Sequence, residues 1–212
     1  MTFPQEIINR LRTPGVVAGF SVDKVEHAVP IAEALLAGGI HVIELTLRTA
    51  AGMDAIKSIA ANVPDILLGV GTILSPETVA EVKSAGADFG VSPGMNPRVV
   101  RAAQEVGLPF APGIATPSDL EAAIEMGCRF VKFFPAEATG GITYLRSMAA
   151  PYQHLQIEYF PLGGINEGNM GDYLREPNIP AVGGSWIVKK ELTEKEDWAG
   201  ITERAAAVAK HC

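Results

Sequence analysis

The sequence predicts an α/β fold, a single-domain (β/α)8 TIM barrel with an additional N-terminal helix. Three observations carry that expectation. Short β-rich runs alternate with longer helical stretches nearly to the end of the chain, and strict β–α alternation implies a parallel sheet. The runs number eight, which suits a closed barrel better than an open doubly wound sheet. Helix-closing glycines lead into strands at Gly38-Gly39-Ile40, Gly86-Ala87-Asp88-Phe89, Gly107-Leu108-Pro109-Phe110 and Gly127-Cys128-Arg129-Phe130, the last three at roughly 20-residue intervals, the size of one strand-plus-helix unit.

Taken in order, an amphipathic segment over 4–11 precedes the first strand. Strands are expected at 16–21, 41–46, 66–70, 89–91, 109–111, 130–134, 156–160 and 180–183, with helices at 25–36, 52–61, 76–84, 97–106, 117–126 and 143–148 among them. Three helices open on Ser75-Pro76, Asn96-Pro97 and Thr116-Pro117, a pairing of cap and first-turn proline that starts helices. The open-sheet alternative wants a Gly-x-Gly-x-x-Gly turn after the first strand, where this chain has Ser21-Val22-Asp23-Lys24. No linker or shift of composition divides residues 1–212.

Composition narrows the function. The 212 residues are 48% hydrophobic, enough for a large core, and the 22 glycines and 15 prolines are spread along the chain as turns. A net charge of -7 argues against nucleic-acid and anionic-membrane partners, so an anionic substrate has to be held by a few placed groups. No apolar run reaches the roughly 18 residues of a membrane span. Met1 to Glu6 lacks the basic and apolar regions of a secretion signal, and a cytoplasmic location is expected. Cys128 and Cys212 have no redox or metal spacing, and Cys128 reads as a packing residue in a reducing compartment. His27, His41, His154 and His211 show no ligand-like spacing either, so neither metal nor cofactor is expected.

In a barrel of this kind the chemistry sits where strands end. The second strand carries Glu44, Thr46 and Arg48 on one face if it runs that far, and such charges on an apolar face are costly unless used or paired. A structural Glu44–Arg48 ion pair is the plain alternative. Thr72 ends the third strand, where it either meets a ligand or caps the next helix. Ser92-Pro93-Gly94 and Pro112-Gly113 shape the mouth. On the sixth strand Lys132 stands between Phe130 and Phe134, and burial there favours the uncharged amine that makes a lysine nucleophilic; a lysine snorkelling from an edge strand is the alternative. Gly163-Gly164 after the seventh strand and Gly183-Gly184-Ser185 after the eighth fit the common phosphate site of this fold, where backbone N–H groups meet the anion.

In this order and spacing, Glu44-Leu45-Thr46-Leu47-Arg48-Thr49, Gly71-Thr72, Ser92-Pro93-Gly94, Val131-Lys132-Phe133-Phe134-Pro135-Ala136-Glu137, Gly163-Gly164-Ile165 and Gly183-Gly184-Ser185-Trp186 closely resemble the 2-keto-3-deoxy-6-phosphogluconate (KDPG) aldolase / 4-hydroxy-2-oxoglutarate (KHG) aldolase family. The resemblance spans about residues 15–186. It implies a metal-independent class I lyase of carbohydrate metabolism, usually a homotrimer, that cleaves KDPG to pyruvate and glyceraldehyde 3-phosphate, and also KHG to pyruvate and glyoxylate. It further implies Lys132 as the Schiff-base residue, Glu44 as general acid and base, and Arg48 and Thr72 on the pyruvate carboxylate. Phe134 and Pro93 would lie by the substrate, with Gly163, Gly164, Gly184 and Ser185 at its phosphate end. Leu162 stands where the family often has threonine, which removes a polar contact near the distal part of the substrate.

The residues agree with that chemistry on their own terms. Cleaving a C–C bond beside a ketone needs an electron sink, which an imine on Lys132 supplies, and one carboxyl such as Glu44 can both accept and return the proton. Arg48 would fix a carboxylate by a bidentate pair. The alternatives are a 2-keto-3-deoxy-6-phosphogalactonate aldolase, a phosphosugar isomerase or epimerase working without Lys132, and a non-catalytic phospholigand-binding barrel.

Overall fold

The computed structural model describes residues 3–210; Cys212 and His211, and Met1 and Thr2 of the N-terminal segment, lie outside the described residues. The element order is α1 (Gln5–Arg12), β1 (Val16–Phe20), α2 (Ala28–Ala37), β2 (Val42–Thr46), α3 (Gly52–Asn62), β3 (Leu67–Gly71), α4 (Pro76–Ser84), β4 (Phe89–Val91), α5 (Pro97–Val106), β5 (Phe110–Ala111), β6 (Gly113–Ile114), α6 (Pro117–Glu125), β7 (Phe130–Phe133), α7 (Gly141–Ala149), β8 (Glu158–Pro161), α8 (Met170–Leu174), β9 (Val182–Gly184), α9 (Lys190–Glu194) and α10 (Trp198–Ala209). Short 3-10 turns precede α2 and flank α7. All strand pairs are parallel, as the alternation requires. The three proline-marked starts are real caps: the Ser75 hydroxyl, the Asn96 carbonyl and the Thr116 hydroxyl accept backbone N–H groups of α4, α5 and α6, and Thr116 with Asp119 forms a capping box. Helices α8, α9 and α10 are additional to those named from the pattern.

The expected closed barrel is corrected in one respect. The ladder runs in two arcs, β5-β4-β3-β2-β1-β9 and β6-β7-β8, and is not continuous around the ring. Prolines account for both seams, because they cannot donate a ladder hydrogen bond. Pro112 splits the fifth position into β5, which pairs with β4, and β6, which pairs with β7. Pro161 ends β8 and Pro180 precedes β9, so the second seam is held by the Tyr159 N–H on the Asn178 carbonyl at 2.8 Å and a single bridge between Leu162 and Gly183. The result is an eight-position α/β half-barrel, curled so that the two arcs face each other.

The apolar residues segregate into two cores. One lies between the strands and the surrounding helices. The other fills the inside, where Val17, Val42, Leu67, Phe89, Phe130 and Phe160 meet, Phe130 stacking on Phe160 at 6.0 Å. Phe3 packs beneath, 4.5 Å from Phe130 and 5.9 Å from Phe89, ring centroid to centroid. Helix α1 seals that end with Ile8 and Leu11, and its Arg10 and Arg12 donate to the Asp65 and Pro177 carbonyls at 3.1 and 3.3 Å. Among the described residues the interior is therefore plugged at the N-terminal ends of the strands. Among the described residues no helix is long and apolar enough to cross a membrane.

The helix-side core also holds Cys128 and Tyr159, and burial pushes the Cys128 thiol up to about 11 and the Tyr159 phenol up to about 12. Both ionise in the unfolded chain nearer their ordinary 9.0 and 10.0. The unfolded state thus binds fewer protons in this window, and stability falls as pH rises above about 9. We expect Cys128 alone to lower stability by about 2 kcal/mol by pH 11. Urea melts at pH 8 and 11 check this, and a Cys128→Ala variant with the same alkaline loss would refute it.

Candidate active site

Period-two alternation sets the height of each inward side chain. Above Val42 in β2 comes Glu44, and above Phe130 in β7 comes Lys132, so both charges sit one layer above the aromatic plug. Register places Gly19 of β1 and Gly69 of β3 on either side of Glu44, and Gly113 beside Lys132. The charged layer is thereby flanked by glycines on three neighbouring strands.

Those side chains meet. Lys132 Nζ donates to Glu44 Oε1 at 2.9 Å, with the residues only 5% and 1% exposed. The Phe134 ring lies with its centroid 5.2 Å from the same nitrogen, a cation–π contact. An ion pair this deep has lost most of its hydration, and its mutual attraction has to offset that loss. Retaining it in the core is a reason to look for chemistry.

A cavity of about 440 Å³ opens directly over the pair, lined by Glu44, Thr46, Arg48, Lys132 and Phe134 at its base and by Leu162, Gly163, Gly164, Gly184 and Ser185 at its far side. Nine of the expected site residues are thus brought together. Arg48 comes from beyond the end of β2, where its N–H closes a tight turn on the Thr46 carbonyl at 2.9 Å. Glu44 pairs with Lys132 and not with Arg48, which removes the structural Glu44–Arg48 pair as an account of these charges. Thr72 and Pro93 are the two that the structure does not bring to the cavity wall. Thr72 follows β3 with φ 65°, a left-handed conformation that non-glycine residues rarely adopt. Pro93 turns its backbone against Gly113, where a side chain would come within 2.3 Å of its carbonyl.

The paired glycines shape the far side. Gly163 and Gly164 have φ of 97° and 83°. A Cβ on Gly164 would stand 2.6 Å from Glu137 Cβ, so the loop after β8 can lie against the loop after β7 only without it. The two loops are tied by Ala136 N–H on the Leu162 carbonyl at 2.7 Å and Glu137 N–H on the Gly163 carbonyl at 3.0 Å, and the Tyr173 hydroxyl braces the Glu137 carboxylate. Asn166 and Asn169 amides both donate to the Gly164 carbonyl, at 3.3 and 3.2 Å. Leu162 is 5% exposed and lies over Gly183, whose Cβ would be 2.7 Å from it.

Gly19, Phe20 and Ser21 also line the cavity, and sequence reasoning passed over them. The signal for them is that β1 ends at the same rim as the other strands. A larger groove of about 750 Å³ adjoins the cavity, sharing Phe20, Ser21 and Ser185, but Lys132 and Glu44 do not reach it and its lysines and carboxylates are mixed. Among the described residues no group of three or more His, Cys, Asp or Glu side chains is placed to hold a metal ion.

The family model for KDPG and KHG aldolase matches residues 7–204 of this chain. The chain belongs to the KDPG and KHG aldolase family. Among members of that family, the KHG/KDPG aldolase of Escherichia coli is 45% identical over 92% of this chain and 91% of its own, and the 2-dehydro-3-deoxy-phosphogluconate aldolase of Haemophilus influenzae is 44% identical over 93% and 92%. A crystal structure of the Legionella pneumophila KDPG aldolase, with pyruvate captured as a covalent carbinolamine, superposes with a TM-score of 0.89 at 40% identity over 94% of this chain and 97% of that one.

Proposed function

We propose that the chain, acting as one domain in which the two arcs serve as an eight-position barrel, is a class I aldolase that cleaves phosphorylated 2-keto-3-deoxy sugar acids to pyruvate and an aldehyde, with KDPG the principal substrate and KHG a second. The observation that carries this reading is the buried contact of 2.9 Å between Lys132 and Glu44 at the floor of an open cavity. The carbinolamine in the Legionella relative supports a covalent route through a lysine.

The roles follow from reach. Lys132 gives up a proton through Glu44, its free Nζ attacks the 2-keto carbon, the carbinolamine oxygen leaves as water, and the protonated imine takes up the electrons of the breaking C3–C4 bond. Glu44, already at hydrogen-bond distance from that nitrogen, is placed to relay the C4 hydroxyl proton and return a proton to C3 of the enamine. Arg48, with no ion-pair partner among the described residues, is free to hold the C1 carboxylate. The Gly163-Gly164 and Gly184-Ser185 loops take the phosphate. An isomerase or epimerase would leave Lys132 without a task.

Turnover of KDPG, its unphosphorylated form and KHG, with pyruvate as the measured product, tests the assignment; absence of pyruvate from all three would sink it. Leu162→Thr restores a hydroxyl to the far wall. We expect the ratio of kcat/KM for KDPG over the unphosphorylated acid to rise about tenfold, the worth of one hydrogen bond to a charged group. An unchanged ratio would mean that this side chain does not select the substrate.

A further inference from the structure

Glycine is needed for its backbone freedom at many turns, yet Gly71, the last residue of β3, lies in a strand and outside the left-handed region. Its use must be found in the space it leaves. A Cβ built on Gly71 would stand 2.0 Å from Glu44 Oε1, 2.8 Å from its Cδ and 3.0 Å from its Cγ. Real Cβ contacts essentially never fall below 3.0 Å, so the carboxylate would have to move. The atom met first, Oε1, is the one that accepts the hydrogen bond from Lys132 Nζ.

The neighbours on the same face make the contrast. Gly69, one layer lower in β3, would place its Cβ 2.2 Å from the Phe89 ring, which is ordinary core packing. On the other side of Glu44, a Cβ on Gly19 would lie 3.6 Å from Oε2, a normal van der Waals distance. Glu44 rises from β2 and leans across the neighbouring strand toward Lys132, and the volume through which it leans is the missing side chain of residue 71. We propose that Gly71 is a positioning residue for the aldolase reaction: its empty side-chain volume is the socket that holds the Glu44 carboxylate against Lys132. The proposal rests on the reading of Glu44 as the group that carries protons.

A single methyl group then acts on chemistry. Gly71→Ala displaces Oε1 by about 1 Å or more, and a misplacement of that size costs on the order of 100-fold in rate. The test is a double-mutant cycle on the full chain, combining Gly71→Ala with Glu44→Ala. Three readouts are followed: KDPG turnover, exchange of the C3 hydrogens of pyruvate in heavy water, and melting temperature. In the wild-type background we expect Gly71→Ala to lower kcat and the exchange rate about 100-fold while KM stays within about threefold. It should also melt about 5 °C lower, as overpacking by one methyl does. In the Glu44→Ala background the socket is vacant, and Gly71→Ala should change neither the residual exchange nor the melting temperature.

Equal losses on both backgrounds would overturn the positioning role and leave Gly71 as a strand-packing residue. A Glu44→Ala enzyme with full turnover would overturn the proton-carrying reading, and the positioning role with it. Should Gly71→Ala alone fail to fold, the melting comparison still decides: the double variant melts with the Glu44→Ala single if the socket is real, and fails as well if it is not.

Discussion

Lys132→Met is expected to lower KDPG turnover by at least about 10⁴-fold, because it removes the only step that converts the substrate's ketone into an electron sink. Without an imine, breaking the C3–C4 bond leaves its electron pair on a carbon beside an unactivated carbonyl. Neither Glu44 nor Arg48 can replace the covalent link, since a carboxyl moves protons and a guanidinium only polarises and orients. Borohydride added with pyruvate should fix a three-carbon adduct on the wild-type chain, and peptide mapping should place it at residue 132. The methionine variant should form none. An adduct that persists in Lys132→Met, or turnover within tenfold of wild type, would show that another group carries the reaction. Glu44→Gln separates the steps further: it keeps the lysine and the shape of the site, so the adduct should still form while C3 exchange slows.

How much of this was legible in the sequence differs residue by residue. Lys132 and Glu44 stand out because each interrupts an apolar strand, and a charge in such a run has to be accounted for. Period two then placed both on inward faces, and the order of eight strands put them across one interior. The Lys132–Glu44 contact itself was not legible, since it depends on the curl of two arcs, and the local pattern offered only Glu44–Arg48 as an alternative ion pair. Arg48 shares a face with Glu44 and Thr46 only if β2 runs on to it; the strand stops at Thr46, as its expected range does, and a tight turn delivers the guanidinium. The seams at Pro112 and at Pro161 with Pro180 were written in the chain, as prolines in parallel strands have to interrupt something. Counting strands alone reads past them. Gly71 was invisible for a different reason: its role is an unoccupied volume, and no pattern of side chains marks a space that only the reach of a residue on another strand defines.

The buried pair to which the chemistry is assigned should be a liability for folding, and this can be measured apart from catalysis. Lys132→Met leaves the Glu44 carboxylate under the cavity floor with its cation gone, and removing one partner of a buried pair costs about 3–5 kcal/mol. For a chain of 212 residues that corresponds to a fall in melting temperature of roughly 10 °C. Replacing both members, as Lys132→Met with Glu44→Leu, takes the uncompensated charge away and extends the apolar interior already formed by Phe89, Phe130 and Phe160 upward by one layer. The double variant should therefore recover most of the loss and melt within a few degrees of wild type, or above it, while remaining inactive. If it melts as low as the single variant, the pair stabilises the native state in its own right, and its burial needs no catalytic explanation. If it recovers, the ion pair contributes little net stability, and what keeps a lysine and a glutamate in the core of this barrel is the reaction they carry out.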